Sequence, residues 1–494
     1  MPERPQKLSK LLKRGTYGLL LILALLFAFS RVEKWRGSRS WEAAKAELKA
    51  SGLTVDWAEA IPTPIPDDQN LAMARVLTGC YRAKGKWSDI GNWQAEPVFD
   101  EAASEAAEQA QELYAPHKPS SVEDAFGFPL SETESLDVFG DSETERFAEL
   151  AQVLAPYRAS LKELRDECAK RPESYLPGDY TISSTAPIPN FQVVRNITRL
   201  LTAEAVLALH EGDTTLVLDN CKALNRIANL NPETPFMVNV MIKAVVLRSF
   251  MAEILWHGIS EDAFSEAQLR EIIDLCRQND PVRDLGRSFE AEMLFAITTV
   301  QEFNENPEML SLNFGHKGTP LFLSSDQVFN SWIHRILWYL TPAEGWNLQM
   351  SLRHIEFSNG YRSAFDLNQR TIDLAELDQM AVELKAIEAK DTLFDSTLLM
   401  GGSPYHKIAE VAVETQRRLD LLEIAATLSL SAKQGNPLPE SITSGREAFP
   451  TDPTNGQAYS YRKTKDGFTI SSERQDNTEA TKDDLIVNWT PKQR

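Results

Sequence analysis

Glu290 and Glu292 are the acids most out of keeping with their surroundings, because the stretch Leu285–Phe303 around them reads as an apolar helix. A carboxylate shielded there would keep its proton toward neutral pH and could do acid–base work. Arg283 and Arg287 stand one or two turns back, and an ion pair with either is the simpler expectation. The seven histidines (His117, His210, His257, His316, His334, His354, His406) are scattered, none three to five residues from another, so no zinc-type pair forms. His354 and Glu356 face apart on one helix, and His210 and His257 fall near helix ends, where an imidazole meets free carbonyls. The four cysteines, Cys80, Cys168, Cys221 and Cys276, show no CxxC spacing. Cys221 and Cys276 lie in apolar helical patterns, where small thiols are ordinary core residues. An oxidising compartment would allow a Cys80–Cys168 bridge without requiring it. HExxH, GxSxG, phosphate-loop and dinucleotide signatures are all absent. Residue types and spacing therefore give no catalytic constellation.

The stretch that positions everything else is Thr16–Ser30, TYGLLLILALLFAFS. The uncharged run from Gly15 to Ser30 is 16 residues long, slightly short of the ~20 that cross a bilayer. Val32 and Trp35 can extend it, since an arginine at the edge snorkels and a tryptophan suits the interface. Ala28-Phe29-Ser30 also resembles a signal-peptidase site, but the helix-forming flank continues without a break, which favours a retained anchor. Either way the body leaves the cytoplasm. Arg4, Lys7, Lys10, Lys13 and Arg14 precede the span and Arg31, Lys34, Arg36 and Arg39 follow it, a slight excess for an N-terminus on the inside.

The 494 residues carry a net charge of −20, and residues 1–39 hold nine Lys/Arg against two Asp/Glu, so the remainder carries −27. Phosphate backbones would repel such a body, which argues against nucleic-acid binding. After the anchor (residues 1–40), residues 41–146 divide into a helix-forming WEAAKAELKA, a strut at Ile61–Pro66 and an acidic segment. The strut's alternate prolines impose an extended backbone, making it a spacer, and Asp67-Asp68-Gln69-Asn70 is placed to cap a helix near Leu71 rather than to hold a metal. Residues 96–149 contain 15 Asp/Glu against two Lys/Arg; Val98–Leu113 reads as helix and the rest as a solvated, mobile insert.

Residues 147–400 read as a helical body. Gly212-Asp213 is a helix stop followed at once by a cap, and Ser265 caps EAQLREIIDLC. Phe236–Trp256, Leu285–Phe303, Gln327–Tyr339, Ala343–Phe357 and Leu367–Ile387 are further helices. Met400–Pro404 is a hinge. Residues 401–494 then give a long helix, Tyr405–Lys433, ending at Gly435, and a small β module. Tyr459/Tyr461 and Phe468/Ile470 alternate about Lys465-Asp466-Gly467, a tight hairpin turn. The expected fold is mainly α: a transmembrane helix, an antiparallel multi-helix bundle or solenoid-like body, and a C-terminal β-hairpin module.

Two resemblances follow. Trp41…Gly52…Asp56, IPTPIPDDQN, LLTAEAVLALHEGDTTLVLDNCKALNRIA, PFMVNVMIKAVVLRSFMAEILWHGIS and AQLREIIDLC resemble a group of uncharacterised bacterial membrane-anchored helical proteins. That implies an anchor and a helical body, with no activity. Residues 415–490 are similar to the C-terminal part of type II secretion major pseudopilins, through Pro437–Ser441, Pro450–Gly456, Tyr459–Tyr461, Asp466–Ser471 and Asp483–Trp489. The resemblance implies a calcium ion held by Asp476, Asp483 and Asp484, although the family's loop is glycine-rich and Asn477–Lys482 contains no glycine. No glutamate stands early in Thr16–Ser30, so assembly into a pilus-like fibre is not implied.

These residues lead to an expectation of a single-pass cell-envelope protein, its body extracytoplasmic, acting as a structural or protein-interaction component. Its contacts would be the membrane and an unidentified protein, and its one candidate cofactor is calcium. The rivals are an envelope hydrolase using carboxylates around Glu290 and a pseudopilin-like secretion or envelope-assembly factor.

Overall fold

The computed structural model describes residues 4–77, 98–99, 101–114, 143–176, 180, 189–230, 236–305, 343–388, 405–442, 449–465, 467–472 and 486–489. Within them the chain is mainly helical. Helix α1 (Arg4–Ala50) is followed by the short α2 (Trp57–Ala60), then α3 (Glu101–Tyr114), α4 (Glu143–Leu154) and α5 (Arg158–Lys170). Next come α6 (Phe191–Glu211), α7 (Thr214–Ala228), α8 (Met237–Val245), α9 (Glu253–Ser260), α10 (Glu266–Arg277) and α11 (Pro281–Glu305). The last helices are α12 (Ala343–Ser363), α13 (Leu374–Glu388) and α14 (Tyr405–Lys433). Strands β1 (Phe365–Asp366) and β2 (Thr371–Ile372) pair with each other, and β3 (Ser460–Lys463), β4 (Phe468–Ser471) and β5 (Ile486–Trp489) form an antiparallel sheet in that order.

Helix α1 runs unbroken for 47 residues, from the basic start through the apolar stretch into the body. It stops where Gly52 turns left-handed at φ 85°. The Leu53 N–H reaches the Leu48 carbonyl at 3.1 Å and the Gly52 N–H reaches that of Lys49 at 3.1 Å. Leu48 and Leu53 lie in one buried cluster, which completes this type of helix stop.

The two halves of α1 differ in what covers them. From Tyr17 to Phe29 large apolar side chains stand in the open, Leu21 and Leu25 each 61% exposed, and Val32 and Trp35 continue the row. Elsewhere among the described residues only Met73 and Val382 are comparably bare. This is the one helix among the described residues long and apolar enough to cross a membrane. Ser30, Glu33, Gly37, Trp41 and Leu48 instead form a buried face at helical spacing, laid against α12.

At that crossing Gly37 meets Gly345. A Cβ on Gly345 would fall 2.4 Å from the Glu33 carbonyl group, and one on Gly37 would fall 2.6 Å from the Gly345 oxygen. The glycines are what let the two backbones come so close. Polar contacts close round the crossing: Lys34 pairs with Glu344 at 2.7 Å, the Gln349 amide donates to Glu33 at 3.2 Å, and Arg36 donates to Glu33 at 2.8 Å.

In the main core α3 and α4 pack on α6, and α6 on α7. The alanine face of α3 (Ala103, Ala107, Ala110) is fully buried there, with Phe99 and Tyr114 at its ends. Gly212 sits at φ 79° and Asp213 caps α7 by accepting from the Leu216 N–H at 3.1 Å, as the Gly-Asp pair foretells. Ser265 and Gln268 form a reciprocal capping box on α10, and Asn70 caps a short 3₁₀ turn at Leu71–Met73.

Among the described elements helix α14 is the one that most others touch. It meets α8, α10, α11, the turn between α8 and α9, and β4. Arg417 on it donates twice to Asp452, at 2.9 and 3.1 Å, and once to Thr454 at 2.9 Å. Asp452 also accepts from the Thr454 N–H at 2.8 Å, and the Ile372 N–H donates to the Pro453 carbonyl at 2.8 Å. The Asp452–Gly456 turn thereby ties the tail both to α14 and to β2. The hairpin forms as read, with Tyr461 opposite Ile470 and Phe468 opposite Trp489 on the added strand.

Two elements differ from expectation. Phe236–Trp256 is not one regular helix, because residues 246–252 form a π turn between α8 and α9. The wider turn coincides with a bond from the Thr415 hydroxyl of α14 to the Ala244 carbonyl at 3.3 Å. Leu367–Ile387 does not begin as helix either. Asp366 accepts from the Asn368 and Gln369 N–H groups at 2.9 and 3.0 Å, and Arg370 turns left-handed at φ 57°, so the chain makes the β1–β2 hairpin first. Gln327–Tyr339, the Met400–Pro404 hinge and most of the acidic insert lie outside the described residues.

Candidate functional site

Among the described residues a cleft of about 830 Å³ lies where the end of α1 and the strut face α8 and α11. Asp56 positions its near wall by capping α2, accepting from the Ala58 N–H at 3.0 Å. Trp57, the first residue of α2, donates its indole N–H to the Tyr180 carbonyl at 2.7 Å, which fixes the ring. Phe236 stacks on it at 6.4 Å, and Phe295 meets Phe236 edge-on at 5.6 Å. Trp57, Phe236 and Leu294 form the apolar floor. Ile61, Pro62 and Thr63 form a side wall, so the strut shapes the cleft as well as spacing the chain.

The cleft's polar groups are mostly paired with one another. Lys243 meets Asp284 at 2.8 Å, the Thr54 hydroxyl donates to Glu59 at 2.7 Å, and Glu290 meets Arg362 at 2.8 Å. Arg287 lines the cleft exposed, with no acid partner among the described residues.

Glu290 thus takes its cation from α12, not from Arg283 or Arg287 on its own helix, because Arg362 lies across the α11–α12 contact. Glu292 points to the other side of α11 and accepts from the Met237 N–H at 3.0 Å. It supplies the start of α8 with the cap that Phe236 cannot provide. Burial pushes its pKa up, against the opposing effect of that backbone bond. The two acids therefore do not converge: Glu290 stands in an ion pair, as expected of it though with another arginine, and Glu292 serves as a backbone cap.

A second polar cluster lies on α14. Asp420 is 3% exposed and accepts from the Gln416 amide at 2.8 Å and the Tyr459 hydroxyl at 2.8 Å. Desolvation pushes its pKa up to about 7, against both hydrogen bonds. The cluster joins α14 to the tail and opens onto none of the clefts described among these residues.

His210 stacks on Phe147 at 3.8 Å, and burial lowers the pKa of His354, favouring its neutral form. Cys168 is a free, buried thiol rather than half of a bridge, its pKa pushed up to about 12 by burial; Cys80 lies outside the described residues. Among the described residues no three His, Cys, Asp or Glu side chains gather as a metal site. Asp476, Asp483 and Asp484 lie outside the described residues, as do His117, His316 and His334.

Sequence reasoning passed over Trp57, Phe236 and the Lys243–Asp284 pair. The available signal was a lone tryptophan just after a capping aspartate, a few residues ahead of the proline-rich strut. No family model, curated protein or solved structure matches the chain. The resemblances of body and tail therefore rest on their residues alone.

Proposed function

We propose that this protein is a single-pass, membrane-anchored component of the cell envelope that binds another protein through the cleft beside Trp57, without catalysis. The observation that carries the proposal is the contrast along α1, bare and apolar from Tyr17 to Phe29 and then buried on one face from Ser30 to Leu48. Bare apolar side chains in such number are stable in lipid rather than in water. The cleft favours binding because its floor is aromatic and two of its charged groups, Lys243 and Glu290, are already held by Asp284 and Arg362.

On this proposal the body lies outside the cytoplasm. Five cations precede the span and four follow it, a slight excess in favour of an N-terminus inside. A secretion- or assembly-factor role of the pseudopilin type is the second reading, supported by the antiparallel β3–β5 sheet held against the long helix α14.

The test is photo-crosslinking in intact cells from Thr54 and Thr63 on the cleft's rim, in membranes washed with alkaline carbonate. A discrete protein adduct, lost when Phe236 is replaced by serine, is the expected result. An uncrosslinked chain would remove the binding role, and a chain released by carbonate would remove the anchor.

A further inference from the structure

Phe27, Arg31, Trp35 and Arg39 are spaced four apart, so they line one ridge of α1. The ridge faces away from the buried face that meets α12, and all four side chains are exposed. The Arg31 guanidinium lies 4.8 Å above the Phe27 ring and that of Arg39 lies 5.7 Å from the Trp35 ring. Lys34 and Arg36, the other two cations here, are held by Glu344 and Glu33. Arg31 and Arg39 have no acid partner among the described residues.

We infer that this ridge is a docking strip for anionic phospholipid headgroups in the leaflet from which the body rises, an inference that rests on the membrane reading of α1. A guanidinium presents paired donors that match phosphate oxygens, and an aromatic ring behind it holds the fork outward. By helix rise Trp35 stands ~4.5 Å and Arg39 ~10 Å beyond Val32. Those heights bracket a headgroup layer of roughly 5–7 Å, within the reach of an arginine side chain.

Below Phe27 the same ridge continues into Leu23, 44% exposed, which gives the acyl chain an apolar track that a free phosphate would not use. The rest of the chain carries −27 and would be repelled by an anionic leaflet. The strip is where attraction can outweigh that repulsion.

The test reconstitutes the full chain into phosphatidylcholine vesicles containing a minor share of phosphatidylglycerol, extracts it in mild detergent and measures the lipid that stays with it. Phosphatidylglycerol is expected to be enriched several-fold over its share of the vesicle. R31Q/R39Q should bring it back to that share, and K34Q/R36Q should leave the enrichment in place. Circular dichroism of each variant confirms that its helices are intact.

Equal enrichment in wild type and R31Q/R39Q would overturn the strip. Removal of the lipid by inorganic phosphate would overturn the headgroup assignment in favour of a free-anion site. A chain that carbonate washes from the vesicles would overturn the anchor as well, an outcome distinct from the first two.

Discussion

Replacing Gly345 with valine should separate α12 from α1 and destabilise the protein by about 3 kcal/mol, toward the upper end of what overpacking does. A single added carbon already falls 2.4 Å from the Glu33 carbonyl group, and that neighbour is helix backbone rather than a side chain that can turn away. Moving α12 outward would break the Lys34–Glu344 and Glu33–Gln349 contacts and open the cluster holding Trp41, Leu348 and Leu352. Gly18→Ala is the control, since nothing lies within 4 Å of a Cβ there. Thermal unfolding of the full chain in detergent reads both variants, with proteolysis near residue 345 reporting the loosened helix. A valine variant that melts with the wild type would mean that the two backbones do not touch.

The second large effect is at Asp420. Its native pKa of about 7 lies above the ordinary 3.8, so between those values the folded chain binds a proton that the unfolded chain has lost. The sign follows from linkage: stability falls as pH rises from about 4 to about 7, then levels off. At one pKa unit per 1.36 kcal/mol the full difference is roughly 4 kcal/mol. Asp420→Asn removes the charge and should raise stability by roughly 2–4 kcal/mol above pH 7 while leaving it near the wild type at pH 4.

The amide fits the existing partners, because the Gln416 carbonyl oxygen has no hydrogen bond and can receive one. Denaturant titrations at pH 4, 6 and 8 measure the slope. Should the two chains lose stability in parallel across that range, Asp420 is already ionised at low pH and the cluster is not under this strain.

Sequence showed the local punctuation of the fold and missed what distant segments impose. Gly212-Asp213, the Ser265 box, the Asn70 cap and the end of α14 were readable because cap residues act on backbone groups a few positions away. The π turn was not readable, since no glycine or proline marks residues 246–252 and the bond to Ala244 comes from Thr415. The partner of Glu290 escaped for the same reason: spacing points to Arg287, whereas Arg362 arrives from another helix. The cleft itself was invisible, because Trp57 and Phe236 are separated by most of the helical body and meet only when α2 folds back on α8 and α11.

The unbroken course of α1 has a consequence for who can reach that cleft. From Val32 to Ala50 a straight helix climbs ~27 Å, and the cleft begins at Gly52 and Leu53, just past its top. With α1 upright in a bilayer, every copy would hold the opening at the same altitude above the lipid, on a stiff mast rather than a slack tether. A neighbour embedded in the same membrane with only short loops would pass beneath it. If the cleft binds a protein as proposed, that protein would need either to diffuse freely outside the membrane or to stand about as tall.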